Sequence, residues 1–292
     1  MKRIGVVICL VLAVIGIYYY KSVNVMVEVD EEEIIEGNRI DSLNIETTFA
    51  NVTITWDKTD QIKVHLDGEL EKSLENKYEL KVEEAKGQLE VEYLSNENII
   101  GFKIGSEKYI ELNVILPEKV YEELHISTTS GTIAVENIHV DKIGLTTTSG
   151  VQTLIGSEIM SDAIFQSTSG DIELEQNIVT SFRAKTTSGN VGTQSLEIQH
   201  GQIESTSGNL TLKKTSNIED LHINTTSGDV EVDFETNPDS LQVIFEGSSG
   251  IAEIYLPNIL YKGKDENSIN GVIGEGKNVL SVRTTSGDLI VK

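Results

Sequence analysis

The side chains able to carry chemistry are few and scattered. Five histidines, His65, His125, His139, His200 and His222, share no spacing that would gather them around a metal ion, and His125 and His222 each stand between two apolar residues, the outward position of a strand. Many Ser-Gly pairs occur, but no Ser, His and Asp order suggests a nucleophile elbow, and Gly-rich phosphate motifs are missing. Carboxylates are plentiful, and acids from neighbouring coils of a β-helix can converge on a glycosidic bond. The test is to align the chain on the glycine of a recurring Thr-Thr-Ser-Gly. One residue after that glycine the series runs Thr132, Val151, Asp171, Asn190, Asn209, Asp229, Ile251, Val272 and Asp288, with no two acids on successive coils. Three residues after it, only Glu231 and Glu253 are expected to become neighbours, as a weak cation site or as a solvated acidic face. Lys262, Lys264 and Lys277 bring positive charge into an acidic stretch and are the expected ligand-binding residues, suited to an anionic wall polymer. No catalytic, cofactor-binding or metal-binding set is expected, and the chain reads as a non-enzyme.

The elements that must position these residues follow from the repeat. The glycines fall at Gly131, Gly150, Gly170, Gly189, Gly208, Gly228, Gly250 and Gly287, in steps of 19, 20, 19, 19, 20, 22 and 37 residues. Self-similarity near 20 residues marks a stacked array. Seven and five residues before the glycine stand apolar pairs such as Leu124 and Ile126, Ile143 and Leu145, or Leu221 and Ile223; two and four residues after it stand Ile133 and Val135, Ile172 and Leu174, or Leu210 and Leu212. Period two on both sides predicts two half-buried strands around one turn. One such unit cannot bury its apolar face alone, so the expected fold is all-β, a β-solenoid of stacked coils of about 20 residues. Glycine is expected to supply positive φ at the bend. The hydroxyls at Thr128, Thr147, Ser167, Thr186, Ser205, Thr225 and Thr284 are expected to form a small inward column beside it.

Residues 1–21 differ in kind from the remainder. Lys2-Arg3 precede an uncharged apolar run from Ile4 to Tyr20, then Lys21, which predicts one N-terminal transmembrane helix acting as an uncleaved signal anchor. The rest of the chain holds 20 basic against 47 acidic residues, a balance of −27 within a total of −24. By the positive-inside tendency the acidic body is exported, as a single-pass protein of the cell membrane whose C-terminal domain is extracytoplasmic. So acidic a body repels nucleic acid. The expected organisation is 1–21 anchor, 22–39 acidic spacer, 40–120 irregular N-terminal β region, and 121–292 regular repeats interrupted by a loop at 258–276.

The Val-Thr-Ile-Thr-Trp strand at Val52 to Trp56, Leu116-Pro117, the Thr-Thr-Ser-Gly-Asp-Val-Glu-Val run at Thr225 to Val232 and the C-terminal Thr-Thr-Ser-Gly-Asp-Leu-Ile-Val resemble a "putative adhesin" domain of unknown function in Firmicute envelope proteins, the LiaG-like proteins among them. The resemblance spans roughly residues 40 to 292. It implies an envelope setting, often beside envelope-stress signalling, and no catalytic residues. The expected function is therefore a membrane-anchored adhesin-like binding or scaffold protein of the bacterial envelope, with wall polymer or envelope membrane proteins as partners. Two other readings stand beside it: a regulatory partner of a membrane stress sensor, and an enzyme acting on envelope polysaccharide.

Overall fold

The computed structural model describes residues 25–95 and 109–292. The N-terminal part holds β1 (Met26–Glu36), β2 (Ser42–Thr47), β3 (Asn51–Asp57), β4 (Gln61–Glu71), β5 (Tyr78–Ala85), β6 (Gln88–Ser95) and β7 (Tyr109–Pro117). The repeats hold β8 (Val120–Thr128), β9 (Ile133–Glu136), β10 (His139–Thr147), β11 (Gln152–Ile155), β12 (Glu158–Ser167), β13 (Ile172–Thr186), β14 (Val191–Ser205), β15 (Leu210–Thr215), β16 (Asp220–Thr225) and β17 (Val230–Phe234). The C-terminal part adds β18 (Leu241–Gly247), β19 (Ala252–Ile254), β20 (Leu260–Asp265), β21 (Ser268–Ile273), β22 (Asn278–Thr284) and β23 (Leu289–Val291).

Parallel pairing arranges these strands in two rows. The first runs β6, β2, β8, β10, β12, β13, β14, β16, β22, β18; the second runs β7, β3, β9, β11, β13, β14, β15, β17, β23, β19. Because β13 and β14 each take part in both rows, all strands belong to one 23-stranded sheet. This corrects the expected fold, a β-solenoid with one N-terminal transmembrane helix. The chain is all-β with a nearly closed, barrel-like sheet, and among the described residues it has no α-helix, only 3-10 turns at Gly37–Arg39 and Lys72–Leu74. A period of 20 residues reports how strands recur, not how the rows join or what is added at their ends, and here antiparallel strands extend both ends. The expected helix at residues 1–21 lies outside the described residues, and no described helix is long and apolar enough to cross a membrane.

The stretch expected as an acidic spacer carries β1 instead, paired antiparallel to β4 along its whole length, with Lys63 on Glu32 and His65 Nε2 2.9 Å from Asp30 Oδ1. The expected loop at 258–276 is the antiparallel hairpin β20–β21, packed through β21 onto β18. Chain order and spatial order also part company here. The last strands, β22 and β23, lie between β16–β17 and β18–β19, so the final Thr-Thr-Ser-Gly unit is inserted beneath the one that precedes it in sequence.

The alternating apolar residues do line the interior: Leu124, Ile126, Ile133, Val135, Phe165, Phe182 and Phe245 are all buried, with Phe165 and Phe182 meeting edge to face at 5.7 Å. Ala252 and Ile254 stay half-buried because β19 is the end strand of its row.

The two bends of each coil obey different rules. None of the repeated glycines has positive φ. Their lack of a side chain serves close approach: a Cβ on Gly150, Gly170 or Gly208 would lie 1.8 Å from the carbonyl oxygen of the glycine one coil below. The inward hydroxyl fixes the same bend, since Thr147, Ser167 and Thr186 accept the N–H of Gly150, Gly170 and Gly189 at 3.0, 2.8 and 2.9 Å. Positive φ appears at the second bend, six residues later, at Asn137, Gly156, Gln176, Ser195 and Lys214, and only one of these five is glycine.

Two opposite substitutions test this division. Gly170→Ala should lower the unfolding free energy by about 3 kcal/mol or more, because backbone and not a flexible side chain occupies the Cβ position. Gln176→Gly should raise it by about 0.5–1 kcal/mol by relieving left-handed strain at an exposed residue. Urea denaturation of the two variants measures both.

Candidate functional site

On the outer face of the second row, side chains of successive coils stand in register. One column runs Thr153, Glu173, Gly192, Thr211, Glu231; the next runs Ile155, Glu175, Gln194, Lys213. Gly192 has no side chain where its neighbours do, and a Cβ built there would meet nothing within 4 Å. The result is a groove across the coils, floored by Gly192 and walled by Glu173, Glu175, Gln194, Thr211 and Lys213, with a volume of about 420 Å³. It continues toward the Thr-Thr-Ser-Gly bend as a second hollow of about 290 Å³ beside Asp171, Asn190 and Asn209. Pockets that hold small ligands span about 300–1,000 Å³.

One wall of the groove is fixed by a side-chain ladder. The Oδ1 of Asp171 accepts the N–H of Asn190 at 2.7 Å, that of Asn190 accepts the N–H of Asn209 at 3.0 Å, and that of Asn209 accepts the N–H of Asp229 at 3.2 Å. Each amide or carboxylate therefore satisfies the backbone of the next coil and is held in place by it. Glu173, Glu175, Thr211 and Lys213 make no side-chain hydrogen bond or ion pair among the described residues, so they are open to a ligand. Hydroxyl, amide, carboxylate and ammonium groups converge there without an aromatic ring, a lining suited to hydrogen-bonding a polar chain, and the net charge disfavours a polyanion.

The residues singled out from sequence lie elsewhere. Glu231 and Glu253 are not neighbours, because the inserted β23 puts Ile290 between them. Lys292 Nζ sits 2.5 Å from Glu231, whose hydrogen bond and charge raise the lysine pKa; Glu253 accepts the Tyr255 hydroxyl at 2.5 Å, which raises the tyrosine pKa. The same insertion brings Asp229 and Asp288 onto adjacent coils, where Asp229 Oδ1 accepts the Asp288 N–H at 3.0 Å, so the expectation that no two acids stack in that column is corrected. Lys262 and Lys264 lie on β20, Lys264 with its Nζ 4.6 Å from the Tyr261 ring centre, whereas Lys277 lies beyond β21 and pairs with Glu275 at 2.7 Å. None of the three lines the groove. The histidines are dispersed, and no group of three or more potential ligands that could hold a metal ion occurs among the described residues. The groove was missed because its signal in sequence is a single outward glycine, informative only once the coils on either side are known.

Residues 40–292 match the family described as Toastrack DUF4097. No curated protein sequence matches the chain. Among solved structures, the chain is similar to a "putative lipid binding protein" from Parabacteroides distasonis, at 14% identity over 90% of this chain and 96% of that one, with a TM-score of 0.51. It is also similar to a "putative adhesin" from Parabacteroides merdae, at 10% identity over 90% and 96% with a TM-score of 0.47. A "putative cell adhesion protein" from Clostridium sporogenes matches at 14% identity over 91% and 99% with a TM-score of 0.30. At 14% identity the likeness to the first of these is one of fold alone.

Because the space above Gly192 is empty and its φ is not positive, Gly192→Gln should fold normally, with its unfolding free energy within about 0.5 kcal/mol of the parent. Asn190→Ala should cost about 1 kcal/mol, having removed the acceptor for Asn209. Thermal and urea unfolding separate the two.

Proposed function

We propose, from the premise that the chain belongs to the Toastrack DUF4097 family, that it is an adhesin-like binding module of the bacterial cell envelope whose groove over Gly192 takes a hydroxyl- and amide-rich glycan of the wall. The observation that carries this reading is the groove itself: an outward notch in an otherwise regular face, lined by the unengaged side chains of Glu173, Glu175, Thr211 and Lys213 and backed by a fixed Asn/Asp ladder. A polymer running along the stack would meet the same spacing of donors and acceptors on successive coils, about 4.8 Å apart. Asp171, Glu173 and Glu175 against Lys213 favour a neutral or amine-bearing chain over polyphosphate.

In this reading residues 1–21 hold the body at the outer face of the membrane, with the strong negative charge keeping it clear of anionic headgroups. The setting is that of LiaG-like envelope proteins, and glycan occupancy would connect the chain to the envelope-stress response.

Filling the groove tests the proposal without disturbing the fold. Gly192→Gln and Gly192→Tyr should lower retention of the protein on purified cell walls at least about tenfold, the net contribution of about one hydrogen bond to the ligand. Stripping anionic polymers from the walls should leave retention of the parent protein intact. Undiminished retention of both filled variants would sink the groove reading.

A further inference from the structure

The outer face that carries the Gly192 groove changes character toward the C-terminal end of the stack. Beyond Thr211 the groove column continues through Glu231 and Ile290 to Glu253. The neighbouring column passes from Lys213 through Asp233 and Lys292 to Tyr255, whose N–H bonds the Val291 carbonyl at 2.7 Å and so prolongs β19 by one residue. Alternation then puts Tyr255 on the same side as Glu253, facing outward. Tyr255 is 65% exposed, and its hydroxyl donates to Glu253 Oε2 at 2.5 Å, which ties the ring down beside its own strand. Ile290, 37% exposed, stands on the adjacent strand opposite Glu253. An apolar patch thus ends a face that is otherwise made of hydroxyl, amide and charged groups.

The groove and the patch supply different halves of what a sugar presents. A pyranose has hydroxyls on its rim, which the groove can hydrogen-bond, and polarised C–H groups on its faces. The face of a tyrosine ring is apolar and electron-rich, so it packs against those C–H groups and leaves the hydroxyls free. Toward the other end of the stack the same two columns pass to Thr153 and Ala134, and to Ile155 and Glu136, without a ring. From β14 to β19 the path crosses β15, β17 and β23, four strand steps of about 4.8 Å, or about 19 Å in all. A disaccharide does not span that distance, whereas an extended glycan of several sugars does.

We infer that Tyr255 is a second, stacking subsite for the same glycan, taking the face of a sugar ring several units along a chain whose near end is hydrogen-bonded in the Gly192 groove. The inference rests on the glycan reading of that groove and adds to it a direction, from β14 toward β19, and a minimum length of ligand. Two contacts on one chain behave as linked sites, because filling the groove raises the local concentration of sugar at the ring.

Isothermal titration calorimetry of the full chain in detergent tests this, with glycan fragments released from purified walls, freed of anionic polymer and sorted by length. Fragments of six or more sugars should bind the parent about tenfold more tightly than fragments of two or three. Tyr255→Ala should abolish that gain and leave the affinity for short fragments unchanged, whereas Tyr255→Phe, which keeps the ring, should retain the gain to within about threefold. Gly192→Gln should weaken long and short fragments alike. Because Tyr255 is exposed, its variants should melt as the parent does; Tyr255→Gln replaces the alanine variant if that one shifts the melt. Short fragments bound as tightly as long ones, or a length gain that persists in Tyr255→Ala, would overturn the inference and leave the groove reading standing. A parent that binds neither kind of fragment would overturn both.

Discussion

The structure depends on one close approach. Along the stack the carbonyl oxygen of each repeated glycine occupies the place where the Cβ of the next glycine would be, from Ala50 under Gly131 to Gly287 under Gly250. Coils can reach hydrogen-bonding distance at this bend only because the residue has no side chain, and the inward Thr or Ser then accepts the glycine N–H that the tight bend would leave buried without a partner. Thr-Thr-Ser-Gly is therefore a packing motif: the hydroxyl fixes the bend, the serine N–H bonds the coil below, and the glycine lets that coil come near. Strain sits at the other bend, where Gln176, Ser195 and Lys214 take left-handed conformations that nothing in their side chains favours.

A rigid stack of this kind presents fixed columns to solvent, so a change of one residue becomes a feature of the surface. Gly192 interrupts a column of larger side chains and opens the groove, while the Asn and Asp ladder beside it spends its oxygens on the next coil's backbone and cannot turn away. The acids of the body do not converge in the same way. Inserting β22–β23 between β16–β17 and β18–β19 separates Glu231 from Glu253 and gives each its own partner, Lys292 or Tyr255.

That insertion also shapes the C-terminal end. The chain lays down β18–β19, turns outward through β20–β21, and returns to fill the space below. The hairpin is the residue of this detour: it covers the edge of β18 and leaves β20 as the new, exposed edge. At the opposite end the strand β1 covers β4, and its run of acids faces water on a strand rather than in a linker.

The sequence by itself determined the strands of the repeats, their inward and outward faces and the unit length, because period-two alternation and a recurring glycine are local properties that each repeat states for itself. Leu124, Ile133 and Phe165 are buried where alternation puts them, and the hydroxyl column points inward as its register requires. Only the tertiary structure decided what lies beside what. Joining of the rows into one sheet, the reversed order of the last two coils, the role of glycine in approach rather than in φ, and the groove over Gly192 all depend on contacts between residues some 20 to 60 positions apart. Such contacts are set by which edge is free when a strand arrives, and a one-dimensional period carries no record of that.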